Sequence, residues 1–200
     1  MIRHQVCTKS GNRAYNGIMS TYISNARMQR TGQHWQATNA VICGDVTLGE
    51  NCSIWFGAII RGDVAPITLG SAVNVQDNSV LHCDDSQPLV IGDRVTIGHS
   101  AVVHGISVGE GTLIGMKAVI LGGVVVGKNC IIAAGAVVAP GMVIPDGQTV
   151  MGVPAKIVRP VRTEELTEMH NNNQHYVELA RRHVESPELF YRVAHKRPRR

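Results

Sequence analysis

A chain of 200 residues holds one domain with a core of its own. Hydrophobic residues make up 44% of it with only two Phe and two Trp, so the apolar content is Val, Ile, Leu and Ala beside 21 Gly, which suits thin regular layers and excludes a bulky aromatic core. The net charge of +4 sits at the ends: residues 1–44 carry five basic and no acidic side chains, residues 45–155 four against nine, residues 156–200 ten against six, and the body offers no basic patch of the kind that holds nucleic acid.

Residues 1–33 show no periodicity and read as an N-terminal extension. Its basic residues, Arg3, Lys9, Arg13, Arg27 and Arg30, with no acid among them, leave a mitochondrial transit peptide as an alternative to a cytoplasmic location. Five scattered cysteines (7, 43, 52, 83 and 130) without a CxxC pair fit reduced thiols rather than a disulfide framework. No apolar run reaches membrane-spanning length, so no membrane partner is expected.

Residues 34–160 carry an internal repeat. Stepping by six from Ile42 meets Leu48, Ile54 and Ile60, then Leu69, Val75 and Leu81, then Ile91, Ile97 and Val103. The series continues from Val108 through Ile114, Ile120, Val126, Ile132, Val138 and Ile144 to Val150. All eighteen positions are aliphatic, the next residue is often Gly, and the fourth after the aliphatic is usually small, as at Cys52, Ala58, Ala101, Ala118, Cys130 and Ala136. A period of six is neither helical nor a simple alternation. It predicts a short strand and a tight turn per repeat, three repeats closing a triangular coil, and coils stacked as parallel strands about 4.8 Å apart. The register breaks three times: three extra residues around Val64-Ala65-Pro66, four around Asp84–Pro88, and one missing between Val103 and Val108. Such breaks on a rigid scaffold are where function concentrates.

Residues 161–186 predict a C-terminal helix. Thr163 is the expected cap before Glu164-Glu165, and Leu166, Met169, Tyr176, Val177, Ala180 and Val184 give a face to lay along the coils. Residues 187–200 read as a solvated basic tail.

The repeat places the histidines. His82 and His104 each follow the aliphatic of repeats exactly one coil apart, so they stand on one face, one above the other, within reach of a shared metal at about 2.0–2.1 Å. His99 belongs to the next face. Three prisms packed about a threefold axis bring His99 of one subunit to His82 and His104 of another, giving three His and an open fourth position. His4, His34, His170, His175, His183 and His195 read as structural. Arg61 lies one coil below His82 and Gln76 one coil below His99, with Asp63, Asp77 and Asn78 close by, a polar concentration unlike the rest of the prism.

Arg61-Gly62-Asp63, Gln76-Asp77-Asn78, His82, Ile97-Gly98-His99 and His104-Gly105 together resemble the γ-class carbonic anhydrase family, especially its short bacterial members labelled hexapeptide transferase or ferripyochelin-binding-like, over roughly residues 34–185. The resemblance implies a left-handed, single-stranded β-helix, a homotrimer and zinc (with Fe2+ or Co2+ as alternatives) bound by His82, His99 and His104. It further implies carbon dioxide and bicarbonate as substrates, an Arg61–Asp63 ion pair across the interface, and Gln76 orienting the water or hydroxide on the metal with Asn78 nearby. Tyr176 is implied to reach the site from the helix. One departure stands out: Val64 follows Asp63, and the short 82–90 loop offers only Asp84 and Asp85 where the family's shuttle glutamates are expected. Two other readings remain open. A CoA-dependent acyltransferase fits the Gly152-Val153-Pro154-Ala155-Lys156 exit but needs one histidine rather than three; a non-catalytic metal-binding trimer also fits.

Overall fold

The computed structural model describes residues 20–21, 26–191 and 193–194. Its body is a left-handed parallel β-helix of about six turns with one C-terminal helix. Most repeats yield a two-residue strand, because two residues suffice to cross a narrow face before the corner turns. The aliphatic of each strand points inward. On face 1 the inward column is Ile54, Val75, Ile97, Ile114, Ile132 and Val150. Face 2 stacks Ile42, Ile60, Leu81, Val103, Ile120 and Val138. Face 3 stacks Leu48, Leu69, Ile91, Val108, Val126 and Ile144. Sixteen of the eighteen are fully buried; Ile42 and Leu48, in the lowest coil, are partly exposed but pack against the same core.

The corners explain the small residues. Ala58, Ala101, Ala118, Cys130 and Ala136 are buried where a larger side chain would have no room. Between faces 3 and 1 a glycine column runs up the prism: a Cβ on Gly109 would lie 2.5 Å from the backbone of Gly127 and Lys128, one coil above. All three register breaks fall on the remaining corner, between faces 2 and 3. There the strand Ile59–Leu69 runs straight across, the 82–88 loop bulges above it, and the chain between Val103 and Val108 pulls tight. Cys43, Cys52, Cys83 and Cys130 are free thiols, and burial pushes the Cys52 thiol up to about 11. Cys7 lies outside the described residues.

Three sequence expectations need correction. The strand Met28–Thr31, expected in the N-terminal extension, forms an antiparallel hairpin with His34–Ala37 and closes the lower end of face 1. The hairpin of Gln148–Gly152 with Ala155–Pro160 closes the upper end of the same face. Helix α1, Thr163–Glu185, has Arg162 rather than Thr163 at its cap. Glu165 accepts a hydrogen bond from the Arg162 backbone N–H at 2.9 Å and ion-pairs with Arg159 and Arg162, so a carboxylate in the first turn replaces a capping hydroxyl. The chain after Pro187 is not free either. A 3-10 turn at Pro187–Leu189 brings Phe190 onto His183 at 3.9 Å, and the Tyr191 hydroxyl accepts the Met28 N–H at 2.7 Å. Val193–Ala194 pairs with Ser20–Thr21. The basic end from His195 on and residues 1–19, which hold most of the stretch weighed as a transit peptide, lie outside the described residues.

Helix α1 buries Met169, Asn173 and Ala180 and half-buries Leu166, Tyr176, Val177, His183 and Val184. Asn173 in that row makes sense at the corner of the prism, where its amide donates to the Ala72 carbonyl at 2.9 Å. The lower half of the helix packs on Trp55, with Tyr176 and His183 both edge-on to the indole.

Candidate metal site

The ladder on face 2 fixes the first two histidines. Leu81 pairs with Val103, so His82 and His104, each one residue beyond, leave the sheet at the same edge one coil apart. Their rings converge: His82 Nδ1 lies 3.1 Å from His104 Nε2. Two nitrogens bound tetrahedrally at 2.0–2.1 Å would be about 3.3 Å apart, so this pair is spaced as a metal requires.

Each outer nitrogen faces a carboxylate. His82 Nε2 meets Asp63 Oδ1 at 3.0 Å, and His104 Nδ1 stands 3.7 Å from Asp84 Oδ2. His99, at the far edge of face 1 and two-fifths exposed, gives its Nδ1 to Asp77 Oδ2 at 2.8 Å, which leaves Nε2 facing out. A carboxylate behind one ring nitrogen keeps the proton there and turns the lone pair of the other outward, the arrangement that metal-binding histidines adopt. Asp77 and His99 occupy the same place in successive coils, two residues beyond Val75 and Ile97, which is why they meet. Among the described residues of one chain, no group of three or more His, Cys, Asp or Glu is placed to hold a metal; one chain supplies two converging rings, and the third turns away.

Arg61 and Asp63 pair within the chain, Nη1 to Oδ2 at 2.6 Å, where the resemblance set an ion pair across an interface. Both remain about half exposed. The Arg61 guanidinium first, and His82 with it, hold the Asp63 carboxyl below the usual carboxylate range, so it stays an acceptor for the ring.

Gln76 is buried, and its Oε1 accepts the backbone N–H of His99 at 3.1 Å. That bond commits the oxygen, so the carboxamide presents its NH2 to the space beside His99. Asn78 takes a left-handed corner conformation, φ 59°, with its carboxamide oxygen over Gly57, so its observed place is in the turn from face 1 to face 2. Tyr176 of α1 borders the same space as Gln76 and His99. Burial first, and the charge of Asp77 second, push its phenol above its ordinary range. Sequence reasoning missed the aspartates as histidine partners, although the shared repeat position of Asp77 and His99 signals one of them. It also missed the groove above His99 described below.

Comparison with known proteins agrees with this architecture. The family model described as bacterial transferase hexapeptide (six repeats) matches residues 105–140, and that of the hexapeptide repeat of succinyl-transferase matches residues 88–116. The chain is thus a hexapeptide-repeat protein. A solved structure, a hexapeptide transferase family protein from Anaplasma phagocytophilum, superposes with a TM-score of 0.73 at 35% identity, over 77% of this chain and 91% of that one. A probable carbonic anhydrase of Methanocaldococcus jannaschii is 51% identical over 144 residues, 72% of this chain and 91% of the relative. Gamma carbonic anhydrase 1 of Arabidopsis thaliana, a mitochondrial protein, is 44% identical over 74% of this chain, which spans only 56% of the plant protein. The chain belongs to the γ-class carbonic anhydrase family.

Proposed function

We propose that the protein is a carbonic anhydrase that hydrates carbon dioxide reversibly at a metal held between subunits of a homotrimer, with His82 and His104 from one chain and His99 from its neighbour. The observation that carries this reading is the trio of histidines, each with one nitrogen facing an aspartate, the other nitrogens of His82 and His104 converging at 3.1 Å. Zinc is the first candidate for an all-imidazole site, with Fe2+ or Co2+ as alternatives. The surface supports the subunit packing. The outward column of face 2 beside the histidine pair is Val41, Ile59, Val80, Val102, Val119 and Val137, aliphatic in every coil, whereas on face 3 the same column is broken by polar residues: Thr47, Thr68, Val90, Ser107, Val125 and Val143. A continuous partly exposed aliphatic stripe is what a subunit interface leaves on a separated chain.

A bound metal of this kind lowers the pKa of its water to about 7 and so supplies hydroxide at neutral pH. The chain's own residues do the rest. Asp63 and Asp77 orient the rings of His82 and His99, and Asp84 lies 3.7 Å behind His104. The Gln76 amide donates toward an oxygen beside His99, and Asn78 shapes the corner that brings Gln76 and His99 together. Asp84 and Asp85 are the acids nearest the His104 side for passing protons outward, at a loop shorter than a dedicated shuttle needs.

The decisive experiment measures metal per chain and carbon dioxide hydration on the same purified trimer. One zinc per chain with buffer-dependent hydration is expected, and His104→Ala should lose both. A metal-filled trimer without hydration at any buffer concentration would overturn the enzyme reading. Saturable acetyl-CoA binding by that trimer would then favour an acyltransferase.

A further inference from the structure

The helix leaves part of face 1 uncovered above His99. Leu113 and Ile131 are the outward residues of the next two coils there, and Met116, more than half exposed, stands one coil above His99. With Ala133 and Ala134 above and Tyr176 of α1 as the opposite wall, they bound a cavity of about 370 Å3 whose lower end is Gln76 and His99. Cavities of roughly 300 Å3 and more hold molecules far larger than a three-atom gas.

The two ends of this groove differ in chemistry. At the lower end the Gln76 carboxamide, its oxygen bonded by the His99 backbone N–H, turns its NH2 to the groove, and Tyr176, whose hydroxyl can donate as well as accept, borders the same space. Upward, the walls are Leu, Ile, Met and Ala side chains that can offer a ligand only contact. We propose that this groove binds an aliphatic carboxylate, its oxygens on Gln76 beside His99 and its chain laid upward along Leu113 and Ile131. His99 to Ala134 spans two coil spacings, about 10 Å, which suits a chain of hexanoate to octanoate length. The carboxylate end rests on the metal reading above only for an added affinity from the cation; the groove itself belongs to one chain.

Calorimetric titration of the assembled protein with acetate, butanoate, hexanoate and octanoate tests the proposal, both metal-loaded and after chelator treatment. Each methylene entering the groove should tighten binding by up to about fourfold, which is ~0.8 kcal/mol per buried CH2, with a plateau once the chain passes Ala134. The slope should persist without metal, while all affinities shift together. Ile131→Asn should flatten it; so should Met116→Gln, at a side chain exposed enough to leave the fold intact. A flat series in both metal states overturns the proposal, as does a slope that both variants leave unchanged. A slope seen in a protein that never takes up zinc would uphold the groove and sink the three-histidine reading, so the two failures are distinct.

Discussion

Asp63 and Asp77 each lie within hydrogen-bond distance of a histidine nitrogen, which favours the proton there and the lone pair on the other nitrogen of His82 and His99; Asp84 stands farther off, 3.7 Å from His104. Loss of such a partner typically costs 10–100-fold in metal affinity. Asp77→Asn keeps the shape but can turn an NH2 toward His99 Nδ1 and reverse its tautomer. Its affinity for zinc, measured against a competing chelator, should fall by about that factor with the trimer intact. Parent-like affinity would make Asp77 a mere neighbour. The stacking of His82 on His104 was legible in the sequence because a six-residue period and a three-repeat coil fix which residues share a face. The pairing of Asp84 with His104 was not. Asp84 sits where four extra residues break the period, and a loop's path depends on packing that a repeat does not encode.

Among the elements, the ladders and the helix clamp answer to different physics. Ile114 is fully buried between Ile97 and Ile132, so Ile114→Ala should cost about 2–5 kcal/mol. Lys128→Gln, at a largely exposed side chain, should cost under about 0.5 kcal/mol. Equal melting losses would contradict the register. Gly109→Ala should cost at least about 1–3 kcal/mol, because the added methyl meets backbone that cannot move without shifting a coil. The clamp depends on His183, between Phe190 and Trp55, whose Nδ1 is 2.9 Å from the Tyr191 hydroxyl. Burial lowers its pKa, against a raising effect from Asp77 and with a further lowering by Arg182. The unfolded chain therefore binds the proton more readily. The clamp contributes fully above the ordinary pKa near 6.5, and its contribution falls as pH drops through the lowered value. Melting of the parent should lose ground to His183→Phe as pH falls below about 6.5. A pH-independent gap would mean that the ring stays neutral in both states. The helix itself was legible from its apolar spacing, but Asn173 and His183 were not, because polar residues on a buried face are justified only by partners 101 residues away at Ala72 and in the aromatic cluster.

For the whole molecule, the central expectation is that metal and assembly are coupled. Neither His99→Ala nor His82→Ala trimers should hold zinc stoichiometrically, yet mixed trimers should regain some sites, where a parent His99 meets a parent His82–His104 pair. Separated monomers that bind zinc tightly and one to one would show the site to be complete within a chain. Hydration by the filled trimer should rise with small buffers such as imidazole while its affinity for carbon dioxide changes little, because Asp84 and Asp85 stand where longer acids would reach solvent. A turnover indifferent to buffer would place the slow step elsewhere.

The antiparallel hairpins at the two ends of face 1 have a meaning beyond closure. Between them the prism is a stack of nearly identical parallel rungs, which is also the geometry of a growing fibril, where each end is a template for the next molecule. A strand running the opposite way, followed at the top by Pro160 and the helix, presents an incoming parallel rung with the wrong hydrogen-bonding partner. The protein thus carries its own chain terminators, and removing residues 148–200 should leave a prism that polymerises end to end, visible as concentration-dependent light scattering.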